Sequence, residues 1–329
     1  MGTLRKVLYY LIIAVSTLVI LAGLLSLIHD VSYWYTKVLD FPRPQYFLLG
    51  LGCLILFPLL QERWSLPAVA LVAGLIVSTT IQFTRLSPYY LGEVTVPTAE
   101  RSPEETVSVI IANVLISNRE HAKFLEIVRS RNPDMLLVME VNAWWMEQLA
   151  SLAADYPHRI EYPTDNAYGM ALYSRYPLEN TDIKFFNHED VPSIHTTVTL
   201  PAGRRFRFHG VHPVAPVPSK EYPDNRGEKE VALERVAELV MQNSLPALVA
   251  GDLNDVSWSR TARLFEHESG LHNVRLGRGL YNSFDATSPV MRWPLDHYFV
   301  SEAFRLVALE RLPAFGSDHF PMYAEFGLE

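Results

Sequence analysis

Cysteine is all but missing from this chain: among 329 residues the only one is Cys53. A disulfide framework is therefore excluded, and the last two thirds of the chain have no thiol to lose to oxidation. Charge is missing from three stretches near the N-terminus, Val7 to Ile28, Pro44 to Gln61 and Ser65 to Phe83. Each approaches the ~20 residues of a membrane-spanning helix. Positive charge is scarce in the remainder of the chain. Of the chain's 28 Lys plus Arg and 36 Asp plus Glu, six and three precede residue 86, which leaves 22 basic against 33 acidic residues and a formal net charge of −11. Nonspecific nucleic-acid binding depends on basic residues neutralising phosphates, so this part is a poor match for it. Internal repeats and low-complexity tracts are absent as well.

What is present divides near residue 85. Residues 1–84 read as three transmembrane helices, 85–106 as a linker marked by Pro88, Pro97, Pro103 and a cluster of Glu, and 107–329 as a catalytic domain. Arg5 and Lys6 precede the first apolar run as they would in a signal peptide, but that run is too long, no small-x-small cleavage site follows, and two more runs come after it. Three spans place the two termini on opposite sides of the membrane. The basic pair favours a cytoplasmic N-terminus, with Glu62 and Arg63 in a short inside loop and Lys37 and Arg43 opposing this bias from outside. The expectation is a multi-pass protein of a bacterial-type inner membrane with its catalytic domain outside the cytoplasm; a re-entrant second run would invert that topology. Tyr33, Trp34, Tyr35 and Phe41, in the loop between the first two runs, read as anchors at headgroup level.

From residue 107 the pattern alternates between strand-like and helix-like segments. Strands are predicted over Val107 to Val114, Met135 to Val141, Met170 to Ser174, Ile194 to Leu200, Phe206 to Val211, Ala247 to Ala250, His297 to Val300 and Met322 to Phe326. Helices are predicted over Arg119 to Ser130, Ala143 to Ala154 and Glu228 to Gln242, the first capped by Ser117 or Asn118 and broken by Asn132-Pro133-Asp134.

Seven patches carry the chemistry: IANVL (111–115), LVMEV (137–141), YGMALYSRYP (168–177), GVHP (210–213), AGDLND (250–255), PLDHYFVS (294–301) and GSDHFP (316–321). Most sit where an apolar run ends in polar residues. Glu140 closes the run MLLVM, where a carboxylate is costly unless it is paired or holds a metal. Asn113 is placed to hydrogen-bond Glu140 or contact the same metal, and Asp318 is a further metal-ligand candidate. His319 stands beside Asp318, and Asp296 is placed to accept a hydrogen bond from its imidazole, fixing the tautomer and raising its pKa. Asp252 and Asn254 follow the buried run ALVAG two residues apart, which on an extended segment puts both on one side. His209 and His297 read as structural, and Arg226 as a possible substrate contact.

The order and wording of these patches resemble the endonuclease/exonuclease/phosphatase superfamily, over roughly residues 105–329. GSDHFP is the most specific piece, followed by AGDLND in the place of the family's G-D-x-N. The resemblance implies two packed mixed sheets flanked by helices, a four-layer α/β sandwich of the DNase I type, preceded here by an all-α transmembrane region. It also implies hydrolysis at phosphorus with Mg2+, or Mn2+, as the metal. Asp252 would then orient or deprotonate the attacking water, Asn254 would hydrogen-bond the phosphate, His319 would act either as a base or as a protonated phosphate contact, and His212 would be the second phosphate-binding histidine. The Lys-x-Gly-Thr-Ala pattern of apurinic-site endonucleases is missing, and the first motif reads Ala112-Asn113 where a Trp-Asn pair would stand. These departures weaken a DNA-repair assignment, and the plan of a few N-terminal spans followed by this domain resembles bacterial enzymes of the VanJ type, which act on a membrane-linked pyrophosphate. The expected partners are the lipid bilayer and a phosphorylated, lipid-linked substrate. A membrane-tethered nuclease is the alternative, and a non-catalytic receptor on the same scaffold a third.

Overall fold

The computed structural model describes residues 2–28, 34–224 and 231–329. It divides into two compact units, Met1–Gly92 and Glu93–Glu329.

The first unit is helical: α1 (Thr3–Leu25), the short α2 (Trp34–Val38), α3 (Arg43–Leu60) and α4 (Leu66–Leu91). By length and composition α1, α3 and α4 are each apolar enough to cross a membrane. Leu4, Leu48, Leu59 and Leu66 face outward and are exposed, an arrangement that suits a lipid solvent rather than water. Arg43, expected as a loop charge, is instead buried as the first residue of α3. Its guanidinium pairs with Asp40 and donates to Gln82 Oε1 at 2.8 Å and to the Ser26 carbonyl at 3.0 Å. A charge in such a place is tolerable only with this kind of complete pairing. Tyr33, one of the expected headgroup anchors, lies outside the described residues.

The expected linker begins too early. Residues 85–91 are still helical, as the end of α4. Further along, Thr98 pairs in parallel with Leu306, and Leu306 exchanges backbone hydrogen bonds with Pro97 and Ala99. Much of the segment expected to be a tether is thus helix end or sheet edge.

The second unit is built on two six-stranded mixed sheets. In chain order it contains β1 (Thr106–Asn113), α5 (His121–Arg131), β2 (Met135–Met139), α6 (Ala143–Leu149), β3 (His158–Tyr162), β4 (Met170–Ser174), β5 (Leu178–Phe185), β6 (Pro192–Thr199) and β7 (Arg205–Gly210). There follow α7 (Ala232–Met241), β8 (Ala247–Asp252), α8 (Arg260–Ser269), β9 (His272–Asn273), β10 (Asp296–Val300), β11 (Phe304–Arg311) and β12 (Met322–Leu328). One sheet runs β11-β12-β1-β2-β4-β3, the other β5-β6-β7-β8-β10-β9. Side chains alternate across each strand, so a central strand must be apolar on both faces. In β1, Val109 and Ile111 join the core between the sheets, whereas Ile110 and Ala112 pack beneath the helical layer with Phe124, Val128 and Trp145. On the far side, Val249 and Phe299 pack with Leu233, Val236 and Phe265 of α7 and α8. The result is the helix, sheet, sheet, helix order of a four-layer sandwich. The hydroxyl of Tyr298 joins the two sheets, its one O–H shared between the carbonyls of Val109 at 2.9 Å and Met322 at 2.8 Å.

Every strand expected from the sequence is present within a residue or two at each end. Four strands were not expected, β3, β5, β9 and β11, and α8 was likewise missed. The α5 cap differs in detail: Glu120 holds the cap position, with Asn118 Oδ1 accepting from its backbone N–H at 3.0 Å. Asn132 ends the helix in the left-handed conformation, φ 50°, which an Asn side chain tolerates.

Two histidines inside the second sheet form a cross-strand pair. His195 lies opposite His209 in register, both are buried, and their Nδ1 atoms are 2.7 Å apart. Burial drives both pKa values down, His195 to about 3 and His209 well below the usual imidazole range. The folded state therefore stays neutral here while the unfolded chain takes up protons near pH ~6.5. Stability from this pair is present above that pH and is lost as pH falls through it, by about 1.4 kcal/mol per pH unit for each histidine. Replacing both with Leu is expected to flatten the loss of stability between pH 6.5 and 4, read by thermal unfolding of wild type and variant across that range.

Candidate active site

The site lies where β1, β2 and β8 end and β10 begins. Parallel pairing puts Asn113, the last residue of β1, beside Met139, the last of β2. The next residue, Glu140, turns into the left-handed region at φ 63°, an uncommon conformation for a non-glycine residue that directs the carboxylate away from the strand's alternation. In the other sheet, antiparallel pairing sets Asp252 directly opposite Asp296. Gly251 makes this possible: a Cβ there would stand 1.9 Å from the Val211 carbonyl, and its φ is +147°. Only glycine lets β8 pass that close to the strand end carrying His212.

Asp252, Asp296 and His319 are buried and bring one ligand atom each within 4.8 Å of one another. His319 Nδ1 is 2.8 Å from Asp296 Oδ2, and its Nε2 is 3.4 Å from Asp252 Oδ2. Burial alone would strip the proton from His319, but the carboxylates of Asp296, Asp252 and Asp318 outweigh it and raise the pKa to about 10. Burial pushes Asp252 up to about 7, against the pull of His319. Asp296 moves the other way: burial would raise it, but the charge and hydrogen bond of His319 prevail and lower it. His319 is thus a protonated imidazole held between two acids. His212 is its opposite. Burial and the charge of His319 lower its pKa to about 3, so it is neutral, and its Nε2 at 3.7 Å from Asp252 Oδ2 lies beyond hydrogen-bond reach. Its Nδ1 is buried with no partner among the described residues, and its ring packs against Tyr168 at 4.9 Å.

Glu140 and Asn113 form the adjoining group. The Asn113 amide donates to Glu140 Oε1 at 2.8 Å and to Asp252 Oδ2 at 3.1 Å, and the Ile116 N–H donates to Glu140 Oε2 at 3.1 Å. Of the two expectations for Asn113, the structure displays the hydrogen bond to Glu140, with the amide nitrogen rather than the oxygen turned to the acids. Burial raises the Glu140 pKa, and the Asp318 charge adds to the rise. A partly exposed carboxylate whose pKa is raised by burial and by a second carboxylate beside it fits a hard divalent cation, which favours oxygen ligands. Glu140 and Asp318 are the residues here that would hold one.

Asn254 departs from the expected alternation. Its φ of 51° ends the extended segment, its N–H caps Asp252 Oδ1 at 2.9 Å, and its side-chain amide donates to the Pro213 carbonyl at 2.9 Å. It ties the Asp252 turn to the His212 turn. His297 points away and contacts the Asp255 carbonyl through Nε2 at 2.9 Å. Arg175 lies over the Tyr156 ring at 5.4 Å, a structural role. Arg226 lies outside the described residues.

Several supporting residues were not singled out from the sequence. Ser317 Oγ donates to the Asn113 carbonyl at 2.8 Å and accepts the His319 N–H at 3.0 Å, linking the last motif to the first. Ser283 Oγ accepts the N–H of Asp296 at 3.1 Å, and buried Arg275 donates to the Asp296 carbonyl. The Phe284 ring packs against His319 at 4.9 Å. Ser317 was legible inside GSDHFP; Arg275, Ser283 and Phe284 come from a long loop with no periodic signal.

The model of the Endonuclease/Exonuclease/phosphatase family matches residues 111–319, more than half of the chain. The chain belongs to that family. Solved structures agree on the fold. The endonuclease/exonuclease/phosphatase from Beutenbergia cavernae is 19% identical with a TM-score of 0.53, over 68% of this chain and 72% of that one. D. rerio TDP2, complexed with a single-strand DNA product, is 17% identical with a TM-score of 0.54, over 68% and 99%. The human Nocturnin catalytic domain with a bound sulfate anion is 17% identical with a TM-score of 0.51, over 70% and 97%. No curated protein matches this chain.

The cation assignment is tested by metal binding alone. Glu140→Gln is expected to weaken Mn2+ binding to the full-length protein in detergent by at least about tenfold while Asp255→Asn leaves it unchanged, measured by isothermal titration.

Proposed function

We propose that this family member is a membrane-anchored, divalent-metal-dependent phosphoesterase whose substrate is a lipid-linked or other extracytoplasmic phosphate, as in the VanJ-like branch. The observation that carries the reading is the split between neighbouring ionisable groups: a protonated His319 and a neutral His212 flank Asp252, whose carboxyl is pushed up to about 7. Groups with pKa values driven apart in one site are the arrangement that acid-base chemistry at neutral pH needs.

In this reading a phosphate seats against the imidazolium of His319 and the ring of His212. Asp252 orients the attacking water and accepts its proton. The water oxygen bonds to phosphorus as the opposite P–O bond breaks. Asp296 keeps His319 charged and oriented, and the Asn254 amide holds the two strand-end turns together. A bound Mg2+ or Mn2+, held by Glu140 and Asp318, would neutralise charge on the phosphoryl oxygens.

Three long apolar helices support a substrate presented at a bilayer, and the domain's acidity argues against a nucleic acid. A membrane-tethered nuclease is the second reading, favoured by the fold likeness to a protein complexed with a DNA product.

Detergent-solubilised full-length protein, given polyprenyl diphosphate and plasmid DNA in parallel, is expected to release phosphate with Mg2+ and to leave the DNA intact. Chelator and Asp252→Ala should each abolish that release. Nicked DNA without phosphate release would replace this reading by the nuclease. Topology is tested separately: a reporter active only outside the cytoplasm, fused after Glu329, is expected to be active, and an inactive fusion with a correctly inserted protein would remove the extracytoplasmic substrate.

A further inference from the structure

Charge is unevenly spread over the second unit. Residues 153–191, which carry the edge strands β3 and β5, hold seven acidic side chains against three basic ones. Residues 271–312, which carry the edge strands β9 and β11, hold three against four once buried Asp296 and Arg275 are set aside. The Tyr162 ring of β3 meets the Phe185 ring of β5 at 5.4 Å, so those two edges share one flank of the sandwich. On the opposite flank, Arg311 of β11 donates to the Asn282 carbonyl at 3.0 Å, and the segment from Val96 to Ala99 bonds both to Leu306 of β11 and to Arg278 beyond β9.

Three arginines of this second flank, Arg278, Arg292 and Arg311, form no ion pair among the described residues, whereas their neighbour Arg305 pairs with Glu329 at 2.6 Å. Each is held in place without one. Arg278 donates to the carbonyls of Val274 and Val96, and the guanidinium carbons of Arg292 and Arg311 stand 5.0 and 4.5 Å from the centre of the Phe320 ring. Fixed cations along one side of an otherwise acidic domain make that side the one a negative surface attracts. Val290 and Met291, 67% and 44% exposed, stand immediately before Arg292. Basic side chains beside exposed apolar ones are the composition of a surface seated at lipid headgroup level.

The chain itself arrives on this flank. Four residues, 92–95, separate the end of α4 from Val96, which is buried in the core between the sheets. Those five Cα steps reach at most ~18 Å. From β11 to β3 the first sheet is six strands across, or ~24 Å at the usual strand spacing. With the arginine flank toward the bilayer that α4 is apolar enough to cross, the tether is slack; with the acidic flank toward it, the tether would have to span the sheet. Along the arginine flank β11 runs from Leu306, the partner of the tether, to Arg311 at the end of the strands where the site lies, a distance of ~17 Å. Strands laid this way along a membrane open the site sideways at the height of the headgroups.

We propose that the flank formed by β11 and residues 275–293 is the membrane-facing surface of the domain: Arg278, Arg292 and Arg311 rest on anionic lipid headgroups, and Val290 and Met291 enter the boundary with the acyl chains. This rests on the membrane-anchored part of the phosphoesterase reading and not on its chemistry.

Full-length protein is reconstituted, without substrate, into vesicles of phosphatidylglycerol and phosphatidylcholine. Cys53→Ala removes the native thiol, and Val290→Cys or Phe185→Cys carries a fluorophore. Both positions are exposed near the site end of the sheets, one on each flank. Quenching by lipids spin-labelled near the headgroup is expected to be at least about threefold stronger at 290 than at 185. It should fall by about half or more when phosphatidylcholine replaces all the phosphatidylglycerol, or when Arg292→Gln and Arg311→Gln are combined. Equal quenching at the two positions, stronger quenching at 185, or quenching at 290 that ignores lipid charge would overturn the proposal. The lipid comparison needs no arginine substitution, so it decides the matter even if the double variant does not fold. The expected quenching in a protein that releases no phosphate would keep the membrane-facing flank and sink the phosphoesterase reading alone.

Discussion

The register between β8 and β10 is the constraint on which the site depends. It sets two buried carboxylates, Asp252 and Asp296, side by side, where both cannot stay ionised unless a cation sits between them. The His319 imidazolium is that cation, reaching Asp296 through one ring nitrogen and Asp252 through the other. Slipping either strand by one residue would turn its acid to the helical side of the sheet, and His319 would lose one of the two carboxylates that hold its proton. Gly251 carries much of this arrangement, since no side chain fits between β8 and the Val211 carbonyl.

Around that pair the two sheets contribute unequal chemistry. The first brings Asn113 and Glu140, with Glu140 turned out of its strand by a left-handed backbone. The second brings Asp252, Asp296 and, through the adjoining turn, His212. The last motif closes the gap between them, because Ser317 holds the Asn113 carbonyl and positions the His319 backbone. Residues far apart in the chain are thus brought together at the ends of stiff strands and by the loop between β11 and β12.

Where the sequence was legible and where it was not depends on burial. β1, β2, β4 and β8 are apolar on both faces and stand out as unbroken runs, and the motifs at their ends stand out with them. The four strands missed, β3, β5, β9 and β11, are the four edges of the two sheets. Half of an edge strand faces solvent, so HRIEY and LENTDIKF carry charges that mask their period. α8 was hidden for a similar reason, as RTARLFEHES exposes most of its surface. Within the site, residues named by a motif were legible, whereas Arg275, Ser283 and Phe284 act by reaching back from a loop, and nothing in local sequence encodes where a loop returns. The left-handed turn at Asn254 was equally invisible to a reading that assumed continued alternation.

The segment from Val96 to Ala99 has a practical meaning. Its backbone is bonded to Leu306, Val96 is part of the core between the sheets, and the Val96 carbonyl accepts from Arg278. Anyone cutting the domain free of its helices would find 107 an attractive first residue, because β1 begins beside it. Such a fragment would lose a core side chain and uncover the edge of β11, leaving unpaired peptide groups open to another molecule. A cleavage just after Gly92 spares that edge, so a soluble fragment's tendency to aggregate would depend on where it starts rather than on the strength of its fold.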